Sequence, residues 1–398
     1  MGFASPSRPP EPAVRVVLAD DSAVVRGLAT RWLTEAAGIE LVGTAVNGRD
    51  AVRVATAMKP DVMILDVEMP ELDGLGAIPE ILRASPATRI LMASTLTHRN
   101  AEVTLKALAL GAADYLPKPV TGKLAGAADF QRDLLSRVRV LGARRVPAAP
   151  ARPTSSQSSA PTTAPPPPGA GRPTTAPPPP GAGRPATAVT LAPRKTLGAI
   201  PDVVVLGCST GGPQALNTVV PALARKLTQP LLIVQHMPPM FTAILATHLT
   251  KACGVTVLEA KDGMPVRPGS ILIAPGDFHM RLVKRHGAMI VTLDQSPPVN
   301  FCRPAVDPLF ISAAEVCGER TLAIVLTGMG ADGKKGCETL MAKGAGVLVQ
   351  DEATSVVWGM PGAVAQAGFA HAIKPLTEIA PTALAYAQGK GQFDVARS

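Results

Sequence analysis

Two tandem copies of TTAPPPPGAGRP, at 162–173 and 174–185, lie inside a stretch of Pro, Ala, Thr, Ser and Gly that runs from 147 to 193. Such a composition has little apolar surface to bury, and its proline runs favour extended polyproline II. It reads as a tether, with a docking peptide for a proline-binding module as the alternative; a direct repeat fits a segment whose length is tolerated. The rest of the chain must then fold as two units, 14–138 and 200–390, joined by 139–199. With 398 residues, 46% of them hydrophobic, the chain can build both cores.

The tether also carries the charge. Nine of the 39 Lys and Arg residues fall between Arg137 and Ala199, where no Asp or Glu stands, leaving 30 basic against 30 acidic residues elsewhere. The net charge of +9 therefore describes a linker and not a binding face, and with aromatics at only 3% a nucleic-acid partner is excluded. No apolar run approaches the ~20 residues of a bilayer span, so membrane insertion is not expected. The first residues, MGFASPSRPPEP, lack the apolar core of a secretion signal. Five cysteines without CxxC spacing point to free thiols, no zinc and a cytoplasmic location.

In the first unit apolar strand runs alternate with helical patterns. Val14–Leu18, 41–46, 62–65, 90–93 and 114–116 read as strands, Ser22 as a helix cap and 48–58 as a helix. Five strands in about 120 residues predict a doubly wound, flavodoxin-like parallel sheet. In such sheets the site lies at the carboxyl ends of the strands. Those ends deliver Asp20 and Asp21, Asp66, Ser94 and Lys118. Three converging carboxylates call for a cation, and oxygen ligands suit Mg²⁺. An ammonium and a hydroxyl beside them match the oxygens of a transferred phosphoryl group. Helix capping is the alternative for any one Asp; five such residues, each after an apolar strand, argue against it.

These residues, with Asp66-Val-Glu-Met-Pro70 and Lys118-Pro119, resemble a response-regulator receiver domain across the whole first unit. The resemblance implies that Asp66 is the phosphoacceptor and that Asp20, Asp21, Asp66 and the Glu68 carbonyl hold Mg²⁺. It makes Ser94 the switch hydroxyl, Lys118 the phosphate contact and Tyr115 the switch aromatic.

The second unit opens with a strand at 202–206 and then Gly207-Cys-Ser-Thr-Gly211, a G-x-S-x-G turn that exposes Ser209 at the start of a helix. A phosphate loop is the rival, but no Lys follows and the GxGxxG spacing is absent. The next strand, 231–234, leads to His236, a base for Ser209; the strand 321–326 leads to Asp332, able to orient that imidazole. Gly328 and Gly330 allow backbone N–H groups near an oxyanion. A cap for a helix at 334–342 is the alternative role of Asp332. The order Ser, His, Asp departs from the α/β-hydrolase order, so the geometry can be shared without the fold.

Residues 200–390 resemble the catalytic domain of chemotaxis protein-glutamate methylesterases, the CheB family, in Gly207–Gly212, Gln235–Pro238, Ile273–Met280, Arg303–Phe310 and Leu326–Gly333. The resemblance implies an α/β methylesterase domain with a mainly parallel sheet and no cofactor. It makes Ser209 the nucleophile, His236 the base, Asp332 its orienter and the Met329 amide an oxyanion donor. Cys208 stands where the family commonly has Ala. The activity implied is hydrolysis of glutamate methyl esters, with glutamine deamidation, on methyl-accepting chemoreceptors in adaptation. A CheA-type histidine kinase is the implied phosphodonor, and the receiver is expected to cover the hydrolase cleft until phosphorylated. The long tether predicts weaker inhibition than usual, because effective concentration falls once a linker exceeds its span. A receiver coupled to an inactive hydrolase scaffold and a DNA-binding regulator are the competing classes; the intact Ser, His and Asp count against the first, and the neutral second unit against the other.

Overall fold

A computed structural model describes residues 12–95, 97–118, 127–143 and 200–390. The tether at 147–193 and Pro119 lie outside them. The expected boundary at 138 falls within a helix, because Ala127–Gly142 continues through four of the residues assigned to the linker. The cause is apolar: Leu141 is buried, and Gly142 abuts Val14 so closely that a Cβ would lie 2.0 Å from the valine.

Strands β1 (Val14–Ala19), β2 (Ile39–Ala45), β3 (Val62–Asp66), β4 (Arg89–Thr95) and β5 (Asp114–Lys118) form a parallel sheet in the order β2-β1-β3-β4-β5. Alternation along the strands feeds two layers. Val17, Met63 and Met92 face helices 48–58, 74–84 and 98–109; Val16, Ile64 and Leu91 face helices 23–35 and 127–142. Ser22 caps the first helix, its hydroxyl accepting from the Val25 amide.

The second module contains β6 (Val203–Cys208), β7 (Leu231–Gln235), β8 (Val257–Glu259), β9 (Ile271–Ile273), β10 (His279–Arg285), β11 (Ala288–Asp294), β12 (Thr321–Val325), β13 (Gly346–Gln350) and β14 (Ala372–Lys374). Seven of these form a parallel sheet, ordered β14-β13-β12-β6-β7-β9-β8, while β10 and β11 make a separate antiparallel pair. Every residue of β6, β7, β12 and β13 is buried, as expected for a parallel sheet covered on both faces. Helices 212–224, 241–253 and 376–387 cover one face; 306–317, 334–342 and 360–366 cover the other.

Both sheets reverse direction at one point. In the first the chain leaves β1 on either side, towards β2 and β3; in the second it leaves β6 towards β7 and later returns to β12. The crevice beyond the strand ends at such a reversal is where an open α/β sheet binds ligands.

Candidate functional site

At the reversal of the first sheet, Asp20 follows β1 and Asp66 closes β3. One carboxylate oxygen from each of Asp20, Asp21 and Asp66 lies within 4.8 Å of the others. Lys118, at the end of β5, reaches back with Nζ 2.8 Å from Asp20 Oδ2 and 2.6 Å from Asp66 Oδ2. Burial dominates at Asp66 and pushes its carboxyl up to about 6, against the pull of the Lys118 ammonium. Asp21 is exposed, so the cluster stays open on one side. A cleft of about 490 Å³ adjoins it, lined by Asp21, Glu68, Arg99 and Asn100 among others. Ser94 is buried at the end of β4 and donates to the Thr95 carbonyl at 3.2 Å. Hard oxygen donors with an open face fit a Mg²⁺ ion that keeps part of its water shell.

At the reversal of the second sheet, β6 ends in a tight turn into helix Gly212–Ala224. Gly211, at φ 76, makes that turn, and Pro213 occupies the first helical turn, where its missing N–H costs nothing. Ser209 and His236 each follow the register pair Cys208↔Gln235 by one residue, so adjacent strands bring them side by side. The His236 amide continues the ladder, donating to the Cys208 carbonyl at 3.2 Å. Gln235 is buried beneath them; its Nε2 donates to the carbonyls of Ser209 and His236, at 3.0 and 3.2 Å.

The loop after β12 closes over the same crevice. The Ser209 amide donates to the Thr327 carbonyl at 3.0 Å. A Cβ on Gly328 would lie 2.9 Å from Ser209 Cβ and 2.4 Å from Met360 Sδ, so only glycine permits this approach. Among the described hydrogen bonds none engages the Met329 amide.

Asp332 lies 2.7 Å, through Oδ2, from His236 Nε2. At the start of helix Lys334–Ala342 its carboxylate accepts from the amide of the N-cap residue Gly333 at 2.9 Å, but among the described hydrogen bonds from no amide within that helix. It instead caps Val306–Cys317 from across the fold, accepting from the amides of Val306 at 2.6 Å and Asp307 at 3.1 Å. Burial favours the neutral acid, but the imidazole and these amides prevail and hold Asp332 below the usual carboxylate range.

The other nitrogen of His236 meets a residue the sequence reading did not single out. Cys302 Sγ lies 3.3 Å from His236 Nδ1. Burial works to lower the imidazole, yet Cys302 and Asp332 together outweigh it and push His236 up to about 10. Among the described hydrogen bonds none joins Ser209 Oγ to the ring. The sequence brought serine, imidazole and carboxylate to one crevice, and the imidazole–carboxylate pair forms; the serine–imidazole bond is not made in this conformation.

Comparison with known proteins agrees with both halves. The family described as CheB methylesterase matches residues 204–383, and the response regulator receiver domain matches residues 16–125. A protein-glutamate methylesterase/protein-glutamine glutaminase of Maricaulis maris (strain MCS10) is 49% identical over 97% of this chain and 99% of its own length. The chain belongs to the CheB methylesterase family. An Azospirillum brasilense relative of the same name is 47% identical over 96% of this chain and 97% of its own. The crystal structure of the Thermotoga maritima CheB methylesterase catalytic domain is 42% identical, covering 47% of this chain and 98% of that one, with a TM-score of 0.46.

In this CheB-family chain the receiver and catalytic modules belong to one compact unit. Tyr115, at the end of the receiver sheet, stacks on Phe241 with ring centroids 4.9 Å apart and planes at 11°. Asp114 accepts from the Thr210 hydroxyl at 2.7 Å and pairs with Arg137. Gln214 donates to the Ala112 carbonyl, and Ser136 lies 3.8 Å from Met329 Sδ. Thr210 adjoins Ser209, and Met329 belongs to the loop over it, so the receiver grips both sides of the crevice.

Proposed function

We propose that this protein is a phosphorylation-regulated serine hydrolase that removes methyl groups from glutamate methyl esters, and deamidates glutamines, on the cytoplasmic domains of methyl-accepting chemoreceptors. The observation that carries the reading is the 2.7 Å His236–Asp332 pair, one register step from a serine on a strand-to-helix turn. Ser209 Oγ attacks the ester carbonyl while His236 takes its proton, which requires Nδ1 to exchange Cys302 for the serine hydroxyl. Asp332 fixes the ring and stabilises the imidazolium. The Met329 amide donates to the oxyanion; one such donor is worth about 10²–10³ in turnover. Methanol leaves, and water, deprotonated by His236, resolves the acyl-enzyme.

In the receiver, Asp66 accepts a phosphoryl group from a CheA-type histidine kinase. Asp20, Asp21, Asp66 and the Glu68 carbonyl would hold Mg²⁺, which when bound would neutralise charge on the phosphoryl oxygens. Lys118 and Ser94 contact the phosphoryl group, and the change reaches the catalytic module through Tyr115. The stacking of Tyr115 on Phe241 and the Asp114–Thr210 bond support a receiver that restrains the crevice until phosphorylated. The restraint is proposed to be weak, below about a hundredfold, because the tether adds little effective concentration. This reading implies a cytoplasmic protein.

The test is methanol release from methylated receptor fragments. Ser209→Ala abolishes release yet still takes up phosphate at Asp66 from a small phosphodonor. A folded Ser209→Ala protein that still releases methanol would falsify the assignment.

A further inference from the structure

Phe301 is 96% exposed in a chain in which only 3% of residues are aromatic. Its backbone is also in a conformation that a phenylalanine disfavours. Asn300 and Phe301 have φ of 51° and 63°, and Val299 and Cys302 exchange both backbone hydrogen bonds across them, at 3.1 and 2.9 Å. This is a two-residue turn with both central residues left-handed, a type that normally takes Asn-Gly. Asparagine suits its first position; at its second, phenylalanine replaces the residue that would adopt the conformation without strain. With its ring in solvent, the side chain recovers none of that strain within the folded chain.

The turn is tied to the catalytic crevice on either side of the ring. Asn300 Nδ2 donates to Asp332 Oδ1 at 3.1 Å and to Asp307 Oδ2 at 3.3 Å. Cys302 Sγ meets His236 Nδ1. Arg303 then pairs with Asp277 at 2.6 Å, anchoring the segment beyond. Phe301 is therefore held between one residue that contacts the orienting carboxylate and another that contacts the imidazole. Strain kept at such a place marks a functional constraint, since folding alone would favour its removal.

We propose that Phe301 is a substrate-contact residue, whose ring packs against apolar side-chain surface flanking the esterified glutamate on the protein substrate. The inference rests on the esterase reading above and adds to it how a macromolecular ester is distinguished from a small one. A free glutamyl methyl ester occupies the crevice without reaching a ring that projects into solvent, whereas a folded protein carrying the ester must pass beside it. Desolvating an exposed aromatic within a protein–protein contact is the kind of interaction that dominates such recognition.

The experiment compares methanol release by the full-length, phosphodonor-treated enzyme from a methylated receptor fragment and from N-acetylglutamate γ-methyl ester. Phe301→Gly lowers the ratio of the two kcat/KM values by about tenfold or more, and Phe301→Tyr restores most of it. The melting temperature of Phe301→Gly stays level or rises, because glycine relieves the left-handed backbone. A Phe301→Gly enzyme with the parental ratio overturns the inference while leaving the esterase reading intact. A parental enzyme that hydrolyses neither substrate overturns both. A lower ratio accompanied by a lower melting temperature, with Phe301→Tyr failing to restore it, assigns the ring a structural role and also overturns the inference.

Discussion

A general base must be neutral to take a proton, and the contacts with Cys302 and Asp332 push the His236 imidazole up, towards its charged form. Cys302 also takes the nitrogen that the proposed proton transfer from Ser209 requires, so the proposed hydrolysis starts from a resting conformation. Removing the sulfur removes the strongest influence raising the imidazole. Cys302→Ala should thus bring the acid limb of kcat/KM to lower pH and raise the rate near neutrality. A pH profile of methanol release checks this, and a limb that stays in place would show that Cys302 does not govern the base. None of this was legible from composition or periodicity. Cys302 lies outside the strand ends, in a turn whose contact with His236 exists only after the sheet has formed. Asp332 was legible as a strand-end carboxylate, but its role as a remote cap for Val306–Cys317 was not, because that helix begins 26 residues earlier in the chain.

Elements deliver these residues through backbone packing, and there the sequence was readable. Parallel strands buried on both faces appear as unbroken apolar runs, so β3, β6, β7 and β12 could be placed to within a residue or two and their ends named. The separate β10–β11 pair was not foreseen, since its half-exposed strands lack such runs. Nor was the end of helix Ala127–Gly142, where Leu141 extends the apolar face into a linker-like composition. The tightest element-level constraint is the approach of the post-β12 loop to Ser209 at Gly328. A methyl group there must displace Ser209 or Met360. Gly328→Ala should cut turnover by about a hundredfold, the cost of a small misplacement of reacting groups. Phosphate uptake at Asp66, in the other module, should remain. Kinetics of the two reactions on one preparation decide it; near-parental turnover would mean the loop need not pack as closely as described.

At the scale of the whole molecule, two α/β sheets each place their chemistry at a reversal of strand order, and the end of one sheet is packed beside the crevice of the other. The packing of the two modules was not legible in the sequence, since Tyr115 and Phe241 carry no signal of mutual contact. Phosphorylation at Asp66, far from Ser209, should change access to it. The direct measurement is covalent labelling of the full-length protein by a fluorophosphonate, with the adduct mapped by mass spectrometry, with and without a small phosphodonor. The adduct should fall on Ser209, form faster with phosphodonor and be lost in His236→Ala. An unlabelled Ser209 in folded, phosphorylated protein, or an adduct at another residue, would contradict the account.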